Sequence, residues 1–179
     1  MIITGKEIIE CQKRGEIFIT RFSEKKVNTN SYNLTLNNKL LIYNDRVLDL
    51  KKDYTNNVTE VIIPESGFTM DPGKLYLGST NEKTITQKHF PIIQGRSSLA
   101  RLGLGVHITS NVGEIGYNGY WTLELSCVQP LTIYPFIQVC QVFFLCVDGE
   151  VEQCDNEWYQ NNKGAQTSRI YKELERDQC

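Results

Sequence analysis

A carboxylate in the middle of an alternating strand and a hydroxyl-rich turn between arginines are the residues of this sequence best suited to chemistry. In Tyr120-Trp121-Thr122-Leu123-Glu124-Leu125-Ser126-Cys127 the odd positions are Trp, Leu, Leu and Cys, and the even positions are Tyr, Thr, Glu and Ser. Period-two alternation puts the apolar set on one face of a strand and Glu124 with Thr122 on the other. Flanked by bulky residues, Glu124 is expected to see little water, which suits a general acid/base that takes a proton from water and hands it on. A glutamate on the wetted face of an antiparallel sheet fits the same pattern. The second segment, Gln94-Gly95-Arg96-Ser97-Ser98-Leu99-Ala100-Arg101-Leu102-Gly103-Leu104, reads as a strand-to-helix turn. Backbone N–H groups at the helix start, the Ser97 and Ser98 hydroxyls and the Arg96 guanidinium converge there as an oxyanion cradle. Arg101 lies more than one helical turn beyond Arg96 and is free to serve another group. An ordinary capped turn with surface arginines is the competing reading.

These groups must be held by a β scaffold. One helix is well signed at the N-terminus: Thr4 as N-cap, Glu7 as its capping-box partner, Ile3 and Ile8 at the staple positions, and Gly15 as terminator. Short β-type runs then alternate with turn chemistry: 31–36, 40–43, 58–63, 74–78 after Asp71-Pro72-Gly73, 105–109, 120–128, 131–134 and 138–147. Many short strands at this spacing indicate a sandwich or barrel-like fold. A short helical turn over 96–104 is the expected exception. From about Asp148 the apolar density falls, and residues 150–179 read as a polar arm on a single domain covering 1–179.

The 179 residues are 40% hydrophobic and 22% charged, enough to build one core. A net charge of −2 argues against a protein that grips a nucleic-acid polymer, while leaving room for a small polyanion held by a few local cations. No stretch approaches a membrane span and no export signal is evident, so a cytoplasmic protein with reduced thiols at Cys11, Cys127, Cys140, Cys146, Cys154 and Cys179 is expected. No C-x-x-C pair occurs, and the histidines are His89 and His107. His107 precedes Ile108-Thr109 and His89 precedes Phe90-Pro91, so the H-x-E and P-C-x-x-C signature of zinc deaminases is absent and no zinc or other protein-held metal site is expected.

GRSSLARLGL, then VHITS, a glycine-rich turn and WTLEL resemble, in that order, the signature of the dCTP deaminases within the dUTPase-like superfamily. NTNSYNLTL, DPGKLYLGSTNE, IQVCQVFF and the tail YQNNKGAQTSRIY are similar to that family too. The resemblance implies a distorted β jelly roll, a homotrimer with active sites between subunits, and a C-terminal arm closing over the site. It implies hydrolysis of dCTP to dUTP and ammonia without zinc, magnesium arriving with the triphosphate, and dTTP as an inhibitor. By position, Glu124 matches the catalytic glutamate, Ser97 the serine that helps hold the attacking water, and Arg101 the arginine beside the glutamate and the cytosine. The Ser110 carbonyl matches a further water contact. Arg96 and Ser98 match triphosphate contacts, with Leu99 and Ala100 in the same turn. Thr122 and Leu123 would present backbone to the base, Gln141 matches a substrate-binding glutamine of some members, and Tyr159 falls in the tail motif.

Some positions depart from the family pattern. Glu114 stands where an aspartate contacts the deoxyribose 3′-hydroxyl, and one extra methylene moves that contact by roughly 1 Å. Tyr117 keeps the aromatic that packs near the sugar. Val112 replaces a phosphate-binding arginine of some members. Trp158 replaces a tail lysine and Asn162 a tail glutamine, with Lys163 as a substitute cation. The readings left beside dUTP formation are a bifunctional enzyme forming dUMP and pyrophosphate, a dUTP pyrophosphatase, and a non-catalytic nucleotide-binding regulator.

Overall fold

The computed structural model describes residues 1–151 and 158–176; Cys154, Cys179 and part of the expected C-terminal arm lie outside them. Helix α1 (Gly5–Arg14) is capped as its sequence dictates. Thr4 Oγ1 accepts from Glu7 N at 3.3 Å, and Gly15 closes the helix in the left-handed conformation at φ 72°. The reciprocal half of the capping box does not form, because the Glu7 carboxylate is taken by Arg14 at 2.7 Å.

Eleven strands follow among the described residues. The long strands β6 (Tyr76–Thr86) and β9 (Asn118–Cys127) form the spine of one curled sheet. Its order is β4 (Val58–Ile62), β3 (Lys39–Tyr43), β6, β9, β8 (Leu104–Gly105), with β1 (Ile17–Ile19) also on β6. A second sheet runs β2 (Tyr32–Thr35), β11 (Gln138–Cys146), β7 (His89–Gly95), and a two-stranded ribbon joins β5 (Phe68–Met70) to β10 (Leu131–Ile133). The core between them includes Ile8, Leu34, Leu40, Ile93, Leu123 and Phe144.

The alternation read from β9 holds along its length. Trp121, Leu123, Leu125 and Cys127 are buried, while Thr122, Glu124 and Ser126 are half-exposed on the other face. Where β6 pairs β9 the register shifts between Ser79 and Lys83. Glu82 at that bulge is fully buried, accepting from Thr35 N (2.8 Å) and Thr35 Oγ1 (2.7 Å) and pairing with Lys26. A buried carboxylate is tolerated when its lone pairs are met in this way.

Several elements differ from the sequence reading. The strand expected over 105–109 ends at Gly105, because the chain then changes sheets. Ile93 N donates to Asn111 O (2.7 Å), Gly113 N donates to Pro91 O (2.9 Å), and Ile92 bridges Val112, so 111–113 pair with β7 instead of β9. Strand β7 carries Pro91, which hides it in a propensity reading; the proline faces away from β11, where its carbonyl accepts from Gly113 N and its missing N–H costs only the return bond of that short pairing. The short helix of the serine turn is α2 (Ser97–Ala100). The described part of the tail includes a helix, α3 (Ile170–Arg176), where a polar arm alone was expected; Lys172, Glu173, Leu174, Glu175 and Arg176 are all good helix formers.

Candidate active site

Glu124 leaves β9 on its half-exposed face opposite Leu77 of β6. Leu104 pairs Cys127 and Gly105 pairs Ser126, so continuing the same antiparallel count sets residue 107 beside residue 124. The His107 ring indeed meets the carboxylate, with Nδ1 3.0 Å from Glu124 Oε2. The side chains are 10% and 31% exposed. A carboxylate accepts, so Nδ1–H donates and fixes the tautomer. His107 Nε2 is buried with no partner among the described residues.

The carboxylate opens into a cleft of about 680 Å³, within the range of small-molecule sites. Its walls combine β9 (Trp121, Thr122, Glu124), the sheet-changing segment 110–117, and the C-terminal residues Tyr159, Asn162, Gln166, Thr167 and Ser168. Tyr117 packs on Trp121 with ring centroids 4.5 Å apart and donates its hydroxyl to Tyr120 O at 2.8 Å. Burial pushes the Tyr117 phenol up to about 12, keeping it a neutral donor. The wall passes so close to Gly113 that a Cβ there would lie 2.2 Å from Trp121 Cη2. Only glycine fits.

The C-terminal segment is stitched to the edge of β9. Asn162 Oδ1 accepts from Tyr120 N and its Nδ2 donates to Tyr120 O, both at 2.7 Å, imitating a strand partner. Gln160 does the same for Asn118 N and Gly116 O. Gln166 N donates to Thr122 Oγ1 (3.1 Å), Arg169 N donates to Tyr159 Oη (2.9 Å), and Ser168 N donates to Tyr43 Oη (3.2 Å). The Arg176 guanidinium sits 4.7 Å over the Trp158 ring, tying α3 to the base of the segment.

A second cleft of about 500 Å³ is lined by Gln94, Gly95, Ser97, Ala100, Gln141 and others, and His107 lines both. The expected site residues therefore fall into groups. Glu124, Ser110, Glu114, Tyr117, Thr122, Tyr159 and Asn162 meet in the first cleft; Ser97, Ala100 and Gln141 meet in the second. Arg96 is half-buried, donating to Gln138 O at 3.1 Å, and Leu99 packs against the core. Ser98, Arg101 and Lys163 are exposed and line neither cleft. Leu123 is buried, reaching a ligand only through its backbone. Val112, the position lacking the arginine, also lines the first cleft. Sequence reasoning did not single out His107 or Gln166; the first was legible only through the β8–β9 register.

A recessed carboxylate with a histidine partner, in a cleft of small-molecule size on a curled β sheet, is an arrangement able to move protons on a small molecule. The fold matches the crystal structure of 2′-deoxycytidine 5′-triphosphate deaminase from Agrobacterium tumefaciens with a TM-score of 0.66 at 18% identity; 82% of this chain is aligned, and it spans about half (48%) of that longer chain. The family model described as dCTP deaminase-like matches residues 2–146, and the chain belongs to that family. It is 50% identical over 177 residues to the "dCTP deaminase, dUMP-forming" of Clostridium beijerinckii, covering 98% of this chain and 100% of that one. The enzyme of the same name from Hathewaya histolytica is 49% identical (98% and 100% covered), and that of Cytophaga hutchinsonii 43% (98% and 100%).

Proposed function

We propose that this enzyme, a hydrolytic dCTP deaminase, converts dCTP with two waters to dUMP, ammonia and pyrophosphate, with Glu124 as the acid/base. The observation that carries the reading is the Glu124 carboxylate, recessed in the first cleft and oriented by His107 at 3.0 Å. The sequence alone put free dUTP first as product. The full-length relatives are dUMP-forming enzymes, and this moves the expected product to dUMP, the alternative weighed there.

In the deamination, Glu124 takes a proton from water as its oxygen adds to C4 of the cytosine, and delivers that proton to N3. Glu124 then moves the proton of the new C4 hydroxyl to the amino nitrogen, and as the C4–N bond breaks the hydroxyl oxygen becomes the uracil carbonyl and ammonia leaves. Ser110 and Thr122 border the same space, Tyr117 offers an apolar wall for the deoxyribose, and Glu114 stands at the rim. A second water then cleaves the bond between the α- and β-phosphates of the dUTP formed, giving dUMP and pyrophosphate. Among the described residues no group of three or more His, Cys, Asp or Glu clusters as a metal cage. That donor set suits magnesium carried in by the triphosphate oxygens rather than held by the chain.

Ser97 and Gln141 lie in a different cleft from Glu124. The reading therefore includes a homotrimer in which the second cleft of one subunit faces the first cleft of its neighbour, so that the serine turn meets Glu124 across the interface. A dTTP molecule, sharing sugar and phosphates, is expected to compete there. Among the described residues no helix is long and apolar enough to cross a membrane.

The test is a time course with dCTP, or dUTP, plus magnesium, following ammonia, dUMP and pyrophosphate. Ammonia and pyrophosphate released together from dCTP, without accumulation of dUTP and unaffected by a zinc-selective chelator, support the reading. Accumulation of dUTP with no pyrophosphate returns the enzyme to simple deamination.

A further inference from the structure

The start of the NTNSYNLTL motif takes no part in the chemistry above, yet its polar side chains are joined in one direction. Ser31 is 1% exposed and Asn33 6%. Asn33 Nδ2 donates to Asn28 Oδ1 (3.1 Å), Asn28 Nδ2 donates to Ser31 Oγ (3.0 Å), and Ser31 Oγ donates to Gln141 Oε1 (2.9 Å). The turn bearing them is fixed from both sides. Asn28 N donates to Ser31 O (2.8 Å), and Gly5 N at the start of α1 donates to Thr29 O (2.7 Å). A Cβ on Gly5 would fall 1.9 Å from the Asn28 carbonyl oxygen, so glycine alone lets the helix abut the turn.

The direction of this relay has a chemical consequence. Each link ends on an acceptor, and the last acceptor is the Gln141 amide oxygen. With Oε1 held by Ser31 and no acceptor for Nε2 among the described residues, its two N–H donors are left for the second cleft, which Gln141 lines with Ser97, Gly105 and His107. Gln141 stands opposite Gln94, and Cys140 opposite Gly95, across β7 and β11. The amide therefore borders the Gly95–Ser98 cradle, where an anion is expected. An untethered amide rotates and offers oxygen and nitrogen in turn, and the oxygen repels an anion.

We propose that Ser31, braced by Asn28 and Asn33, is a positioning residue that locks Gln141 Nε2 as a donor to a phosphate oxygen of the nucleotide. The inference rests on the nucleotide reading of the second cleft given above. Ser31 touches no substrate and acts through Gln141.

The experiment is a double-mutant cycle on the full chain, with Ser31→Ala, Gln141→Ala and the pair, reading kcat and KM for dCTP and the inhibition constant of inorganic triphosphate. A lost donor to a charged acceptor corresponds to about a tenfold change, so Gln141→Ala is expected to raise KM about tenfold with a smaller change in kcat. Ser31→Ala is expected to raise KM by about half that factor, and the pair to be no worse than Gln141→Ala alone. The triphosphate inhibition constant should rise in parallel. Asn28→Ala, at an exposed position outside both clefts, gives the same effect in weaker form should Ser31→Ala fold poorly. Unchanged KM in Ser31→Ala, additive losses in the pair, or an inhibition constant for triphosphate that does not move each overturn the proposal. Absence of dCTP turnover in the parent enzyme would instead defeat the functional reading itself.

Discussion

Replacing His107 by alanine removes the only hydrogen bond that the Glu124 carboxylate makes among the described residues, at 3.0 Å. A hydrogen bond to a charged group contributes about 1.5–3 kcal/mol. Glu124 is 31% exposed, so water replaces part of the lost contact and the lower end applies. We take about 1–2 kcal/mol, a fall in kcat of about 5- to 30-fold. The loss should fall on kcat more than on KM, because the contact aims the acid/base and does not touch the phosphates. His107→Asn separates this from general damage to the cleft. The Asn Nδ2 occupies nearly the place of the imidazole Nδ1 and keeps a donor on the carboxylate, so it should recover most of the lost kcat. The assay is steady-state ammonia release from dCTP with each variant, alongside a thermal melt. Full kcat in His107→Ala, or an asparagine variant as slow as the alanine one, refutes the positioning argument.

Co-expression of Glu124→Gln chains with Ser97→Ala chains, each inactive alone, should restore activity, since the shared site proposed above needs Glu124 from one subunit and Ser97 from the next. Random assembly leaves about a quarter of sites intact; no recovery in purified mixed trimers contradicts shared sites. His89 is 9% exposed with Nδ1 unpartnered among the described residues, and burial first, against the opposing pull of Glu16 and Glu7 and reinforced by Lys88 and Arg14, holds its imidazole below the usual 6.5. The unfolded chain then takes up a proton before the folded one does. Stability should be flat above about pH 6.5 and fall as pH drops below it, until the folded imidazole also titrates. His89→Gln should flatten the fall in melting temperature just below about pH 6.5; an unchanged slope there contradicts the assignment. Glu16, held at about 2 by Arg14, adds its own loss only once the pH falls below its unfolded value of about 4.5.

Local chemistry explains which parts of this account were legible in the sequence. The cap at Thr4, the stop at Gly15 and the burial of alternate residues in β9 follow from nearest-neighbour rules, and each appears as expected. Strand β7 was not, since Pro91 argues against a strand until its place at a sheet edge is known. The early end of β8 was equally hidden, because residues 111–113 leave one sheet for another and that choice is tertiary. Glu124 was identified from pattern and family likeness, but His107 required register. The separation of Ser97 and Gln141 from Glu124 into two clefts has no signature in spacing at all. The bonds of the Asn162 amide to the Tyr120 backbone, which hold the C-terminal segment on β9, have no signature in spacing either.

The most direct measurement is dCTP turnover and dCTP binding by calorimetry for Glu124→Gln, a change that keeps shape and removes the base. Ammonia release should fall by at least about a hundredfold, while dCTP with magnesium still binds within a few-fold of the parent. Deamination near the parent rate would mean that another group moves the proton and that the first cleft is not the catalytic one.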